Sequence, residues 1–133
     1  MDAEKAAALE RTFKTELESL KQIQRDIQKN HTARQQFTQQ KNENEMVLKE
    51  LDLGSDEGNV YKLIGPVLIK QDPVEACSNV GKRLEFINGE LSRLDSRLKA
   101  LEKQAAERQQ KVVSIQQEVQ RLTQAAAAST GAE

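Results

Sequence analysis

The chain has 133 residues, of which 37% are hydrophobic, 3% aromatic and 31% charged. So few large apolar side chains cannot fill a compact globular core, whereas a long helical assembly needs only a thin apolar stripe on each helix. Twenty basic residues against twenty-one acidic ones leave a net charge of -1 with no long block of either sign, which gives no purchase on a phosphate backbone and argues against nucleic acid as a partner.

The opening MDAEKAAALERTF has acid within its first four residues and no apolar run, and no later window approaches a membrane span. A soluble, unsecreted, cytoplasmic protein with no membrane partner is expected. Heptads read with Phe13 at a place Phe13, Leu20, Ile27, Arg34, Lys41 and Leu48 at a, and Leu9, Glu16, Ile23, Asn30, Phe37, Asn44 and Leu51 at d. The seam is apolar but interrupted by Glu16, Asn30, Arg34, Lys41 and Asn44. This predicts a first helix over about 3–53, closed by Gly54, which can take the left-handed conformation of a helix C-cap.

A different composition follows. Residues 59–73, NVYKLIGPVLIKQDP, hold both prolines and the only tyrosine. Val60 to Ile64 and Val67 to Lys70 are β-branched or aliphatic runs with Gly65-Pro66 between them, which predicts a β-hairpin over about 59–71. Apolar side chains fall on both faces, so both need cover. An isolated two-stranded hairpin is marginal in water, and open edges beside apolar faces invite pairing. The hairpin is therefore expected to join those of other subunits in a shared sheet or barrel. Its candidate assembly residues are Val60, Tyr61, Leu63, Ile64, Gly65, Pro66, Val67, Leu68 and Ile69.

Asp72-Pro73-Val74-Glu75 carries a strong helix start: an Asp that can accept from an orphan N–H, Pro in the first turn, and Glu at the capping-box position. The heptads that follow put Cys77, Leu84, Leu91, Leu98, Ala105, Val112 and Val119 at a, and Val80, Ile87, Leu94, Leu101, Arg108, Ile115 and Leu122 at d. Only Arg108 breaks this seam. The second helix is expected over about 73–124, with the small residues of 125–133 as a disordered tail.

At about 1.5 Å per residue each arm reaches roughly 65 Å, and two nearly equal arms around a short insert predict an antiparallel helical hairpin. One register sets Leu51 opposite Cys77, Phe37 opposite Leu91, Ile23 opposite Ala105 and Leu9 opposite Val119; a one-heptad slip is also allowed. There Asn30, Arg34, Lys41 and Asn44 oppose leucines and an isoleucine. Arg34 and Lys41 are expected to lay their methylenes on the seam and lift their charges to water, fixing orientation and register at some cost in stability. The fold class is mainly α: one domain over 1–133, a long antiparallel two-helix coiled coil joined by one β-hairpin that assembles into an intersubunit β-barrel.

VYKLIGPVLIKQ, then VGKRLEFINGE and the heptads to Leu122, resemble the β-class prefoldins, most of all eukaryotic members. The likeness runs from about Leu9 to Leu122 and is strongest from Val60 to Glu90. A single hairpin between the arms fits the β class, since the α class carries two. The resemblance implies a hexamer of two α-class and four β-class subunits, whose hairpins form a β-barrel platform from which six coiled coils hang. It also implies an ATP-independent chaperone that captures unfolded actin and tubulin at the distal ends of the coils and passes them to the cytosolic chaperonin. Carried onto this chain, the tip comprises residues 6–20 and 112–122, with Leu9, Phe13, Leu17, Val113, Val119 and Leu122 as candidate client-binding residues. Leu17 and Val113 are large, apolar and off the seam at nearly the same height; they either extend the apolar surface or widen the helix contact. Ala6 to Ala8 and Ala125 to Ala128 make the tip otherwise lean, so several coils would have to share a client.

Other signals point to no enzyme, cofactor or metal. His31 has no catalytic or ligating partner nearby, and Cys77 has no second cysteine and suits packing in a reducing compartment. Asn30-His31-Thr32 matches a glycosylation sequon but lies on the seam, and Gly81-Lys82 is followed by Arg83 where a phosphate loop needs Ser or Thr. Gly81 and Gly89 are read as sites of close helix approach or slight flexibility. Two further functions remain: a structural coiled-coil scaffold or tether without client binding, and an RNA-binding arm, which would need a basic stripe that the chain lacks.

Overall fold

Residues such as Ala, Glu, Lys, Gln, Leu and Arg lose little freedom in a helix, and the two arms rich in them are helical throughout. The computed structural model describes residues 3–54 and 59–131. The order is α1 (Ala3–Gly54), β1 (Val60–Ile64), β2 (Val67–Gln71) and α2 (Pro73–Gly131). Among these residues no helix is long and apolar enough to cross a membrane.

α1 ends within one residue of its expected limit; the residues that would complete a C-cap at Gly54, 55–58, lie outside the described residues. The start of α2 follows the capping expectation. Asp72 Oδ1 accepts from the Val74 N–H at 3.1 Å, its carbonyl accepts from the Ala76 N–H at 2.9 Å, and Pro73 is the first helical residue. The far end corrects an expectation. In place of a helix to about 124 with a disordered tail over 125–133, α2 continues to Gly131. Ala125 to Ala128 bury nothing, but alanine has the highest intrinsic helix propensity, so a helix already nucleated upstream extends through them.

The chain divides into two compact units, one of Met1–Asn30 with Arg97–Glu133, the other of His31–Ser96. In the first, α1 and α2 segments pair antiparallel around buried Leu20, Leu101 and Val112, with Leu9, Phe13, Ile23, Ile27, Leu98, Ala105, Ile115 and Leu122 half-buried. Asn30 is buried as well, at 6% exposure. Glu16 and Arg108, one polar d residue from each seam, meet across the helices: Arg108 Nη1 donates to Glu16 Oε1 at 3.1 Å and to Oε2 at 2.9 Å. In the second unit Ile87 is the most deeply buried side chain, and Phe37, Leu48, Leu51, Val80, Leu84, Leu91 and Leu94 line the same seam. Each fully buried Leu or Ile contributes about 2 kcal/mol relative to its exposed state.

Cross-helix contacts in the second unit select the register. Arg34 Nε donates to Asp95 Oδ1 at 2.8 Å, and Cys77 Sγ lies 4.0 Å from Asp52 Oδ1. Asp95 follows Leu94, the residue expected opposite Arg34, and Asp52 follows Leu51, expected opposite Cys77; a heptad slip would separate both pairs by two turns. Arg34 is exposed as expected, yet its charge is held by Asp95 instead of being left to water.

β1 and β2 pair antiparallel, Val60 with Gln71, Tyr61 with Lys70, Lys62 with Ile69, Leu63 with Leu68 and Ile64 with Val67. Gly65 has φ +57°, a left-handed value suited to glycine. Because the ring of Pro66 holds its own φ negative, the two-residue turn is of type II′, which matches the twist of paired strands.

Candidate functional site

Two surfaces stand out. The first lies where the start of α1 meets the end of α2 within the first unit. A cleft of about 460 Å³ opens there, lined by Ala6, Leu9, Glu10, Phe13, Gln116, Val119, Gln120 and Leu122. Its floor is apolar and its rim polar. Four of the six candidate tip residues, Leu9, Phe13, Val119 and Leu122, thus come together in one concavity. Leu17 and Val113 lie outside it, Leu17 half-buried and Val113 exposed.

Ala6 and Leu122 both line the hollow, and the methyl of Ala6 leaves room that a larger side chain would fill. Sequence reading named Ala6 only as a lack of bulk, and it passed over Glu10, Gln116 and Gln120. Beside the cleft, Arg121 donates to both carboxylate oxygens of Glu118. That hydrogen bonding, with the charge of Arg121, holds the Glu118 carboxyl below its ordinary pKa and raises that of Arg121.

The second surface is the β-hairpin. Cross-strand pairing puts Val60, Lys62, Ile64, Val67, Ile69 and Gln71 on one face and Tyr61, Leu63, Leu68 and Lys70 on the other. Both faces are open: Leu63 is 68% and Leu68 64% exposed, and Tyr61, Ile64, Val67 and Ile69 are exposed too. An adjoining groove of about 580 Å³ is lined by Glu43, Met46, Val47, Glu50, Leu51, Asn59 and Val60. Met46 and Val47 were not singled out in the sequence because they lie off the a/d seam; their sign is apolar character at the outer f and g positions.

Other sequence signals resolve simply. His31 is exposed, and the sequon asparagine, Asn30, is buried. Gly81-Lys82 lies inside α2, where no phosphate loop can form. A Cβ added at Gly81 or Gly89 would meet no atom within 4 Å, so neither glycine is there for close helix approach. Cys77 is half-buried on the seam.

Antiparallel paired helices with an apolar cleft, and a two-stranded hairpin open on both faces, define a coiled-coil protein with an uncovered β-hairpin. The family follows from comparison. Residues 14–125 match the model of the prefoldin subunit family, and the chain belongs to that family. It is 47% identical to prefoldin subunit 6 of Arabidopsis thaliana over 114 residues, covering 86% of this chain and 88% of that one. It is 38% identical to prefoldin subunit 6 of Homo sapiens over 126 residues, covering 95% and 98%. The fold resembles the crystal structure of the prefoldin beta subunit from Thermococcus strain KS-1, with a TM-score of 0.72 at 21% identity, over 77% of this chain and 90% of that one. The chain is a subunit of the prefoldin chaperone complex.

Proposed function

We propose that this chain is a β-class subunit of a cytoplasmic heterohexamer, two α-class and four β-class, and that it holds unfolded actin and tubulin, without ATP, for delivery to the cytosolic chaperonin. The observation that carries client holding is the cleft of Leu9, Phe13, Val119 and Leu122. An apolar floor with a polar rim suits exposed hydrophobic segments of non-native chains, and its open form suits clients without fixed shape. The doubly exposed hairpin supports the β-barrel platform, since strands with two apolar faces and two open edges gain most from closure.

The test is aggregation suppression by the reconstituted complex. Val119→Ser with Leu122→Ser in this subunit is expected to weaken capture of unfolded actin by about two- to tenfold while the mass of the complex stays unchanged, because several coils share each client. Leu17→Ser with Val113→Ser, which changes residues beside the cleft, is expected to have the smaller effect. Full suppression by an intact complex carrying all four substitutions would sink client binding at this tip and favour a tether.

A further inference from the structure

Lys62 is the midpoint of β1, and with Lys70 it supplies all the charge between Asn59 and Gln71. It pairs across the hairpin with Ile69 and shares its face with Val60, Ile64 and Val67. Among the described residues neither lysine has an ion-pair partner within the chain. An ammonium group in the middle of an apolar face is tolerated while that face is wet; once covered, it needs a counter-charge.

The open edge of β1 sharpens this demand. In a two-residue hairpin the pair beside the turn is hydrogen-bonded and bonding then alternates, so Lys62 turns its backbone groups toward β2, while Tyr61 and Leu63 turn theirs outward. A second copy docking antiparallel on that edge, centred to pair the whole strand, sets Lys62 against Lys62 in a non-hydrogen-bonded pair with Cα atoms about 4.5 Å apart. Like charges facing one another in a sheet are destabilising. Other registers do not help, because β1 and β2 contain no Asp or Glu and a copy has no carboxylate on its strands to offer.

We propose that the open edge of β1 selects as its neighbour a strand of a different prefoldin subunit that presents Asp or Glu opposite Lys62, and that Lys62 excludes a second copy of this chain from that edge. This rests on the hairpin being the element of assembly. The same lysine therefore attracts the correct neighbour and repels the wrong one.

Carbodiimide treatment of the reconstituted complex joins an amine to a carboxylate in contact with it. Peptide mass spectrometry is expected to find Lys62 linked to an Asp or Glu on a strand of another subunit; linkage only within its own chain, or none, overturns the proposal. In competition with the unmodified chain, Lys62→Glu is expected to enter complexes about tenfold less. Lys62→Met alone is expected to self-associate more than the unmodified chain in light scattering. Equal incorporation of Lys62→Glu, or unchanged self-association of Lys62→Met, also counts against it. Leu63→Ser with Leu68→Ser, on the opposite face, separates this from the reading beneath it. If that variant is excluded while Lys62→Glu enters normally, the charge selection alone is wrong; if it too enters normally, the hairpin is not the element of assembly. Unchanged helical circular dichroism shows that each variant still folds.

Discussion

Glu16 and Arg108 interrupt their seams in the same unit, and their contact converts two apparent defects into one ion pair in which Arg108 Nη1 donates to both carboxylate oxygens. Glu16 is largely shielded, at 13% side-chain exposure, and Arg108 less so at 38%. Removing one partner strands the other charge. Arg108→Leu is therefore expected to cost about 1–2 kcal/mol, less than a fully buried pair would lose because water reaches the guanidinium. Glu16→Leu combined with Arg108→Leu is expected to recover that loss or exceed the original stability, since leucines continue both seams. Thermal unfolding of the four proteins in a double-mutant cycle measures the coupling, and a double variant no more stable than Arg108→Leu would count against it. The contribution of the Glu118–Arg121 pair depends on pH. The Glu118 pKa is lowered on folding, so its contribution is present above the ordinary carboxylate range and is lost as pH falls through the depressed value. Arg121→Gln is expected to return that carboxyl to its ordinary range in an NMR titration; an unmoved midpoint would refute the assignment of cause.

At the scale of elements, the helices and the hairpin were legible because each depends on patterns local in sequence. Leucines and valines at period 3.5 can be counted, Gly65-Pro66 carries its turn chemistry, and Asp72-Pro73 carries its cap. The helix over 125–131 is not legible because those residues bury almost nothing and show no periodicity, while alanines extend a nucleated helix without any packing. The cleft was half legible. Its apolar lining follows from the seam, but its existence depends on Ala6 and Leu122 meeting at one hollow, a juxtaposition of distant residues that composition cannot display. Glu16 and Arg108 were visible as polar breaks but not as partners, since the bond spans one turn beyond their expected opposites and depends on the length of the arginine. The glycines of α2 give the clearest test at this scale. Gly89 is exposed on the outer face with open space where a Cβ would go, so Gly89→Ala is expected to stabilise the chain by about 1 kcal/mol. A lower unfolding midpoint would instead assign that glycine a role in the assembled complex or in flexibility.

For the whole molecule, the decisive imbalance lies between helices that bury their seams within the chain and strands that bury almost nothing there. The apolar a and d positions of α1 and α2, Val119 apart, are buried or half-buried, whereas Tyr61, Leu63, Ile64, Val67, Leu68 and Ile69 all stand exposed. These side chains are already partly covered, so burying the rest of each is worth about 1–2 kcal/mol, and closing a shared sheet over all six provides free energy of the order needed to offset the entropy of bringing subunits together. Helical structure should therefore survive in the isolated chain, while a defined oligomer should require the other prefoldin subunits. Light scattering is expected to show a single species near six subunits only after mixing with α-class and β-class partners, and smaller or polydisperse species for the chain alone. A stable monomer or dimer that ignores those partners would mean that the hairpin faces are covered by something other than hairpins, and the platform would lose its physical basis in this chain.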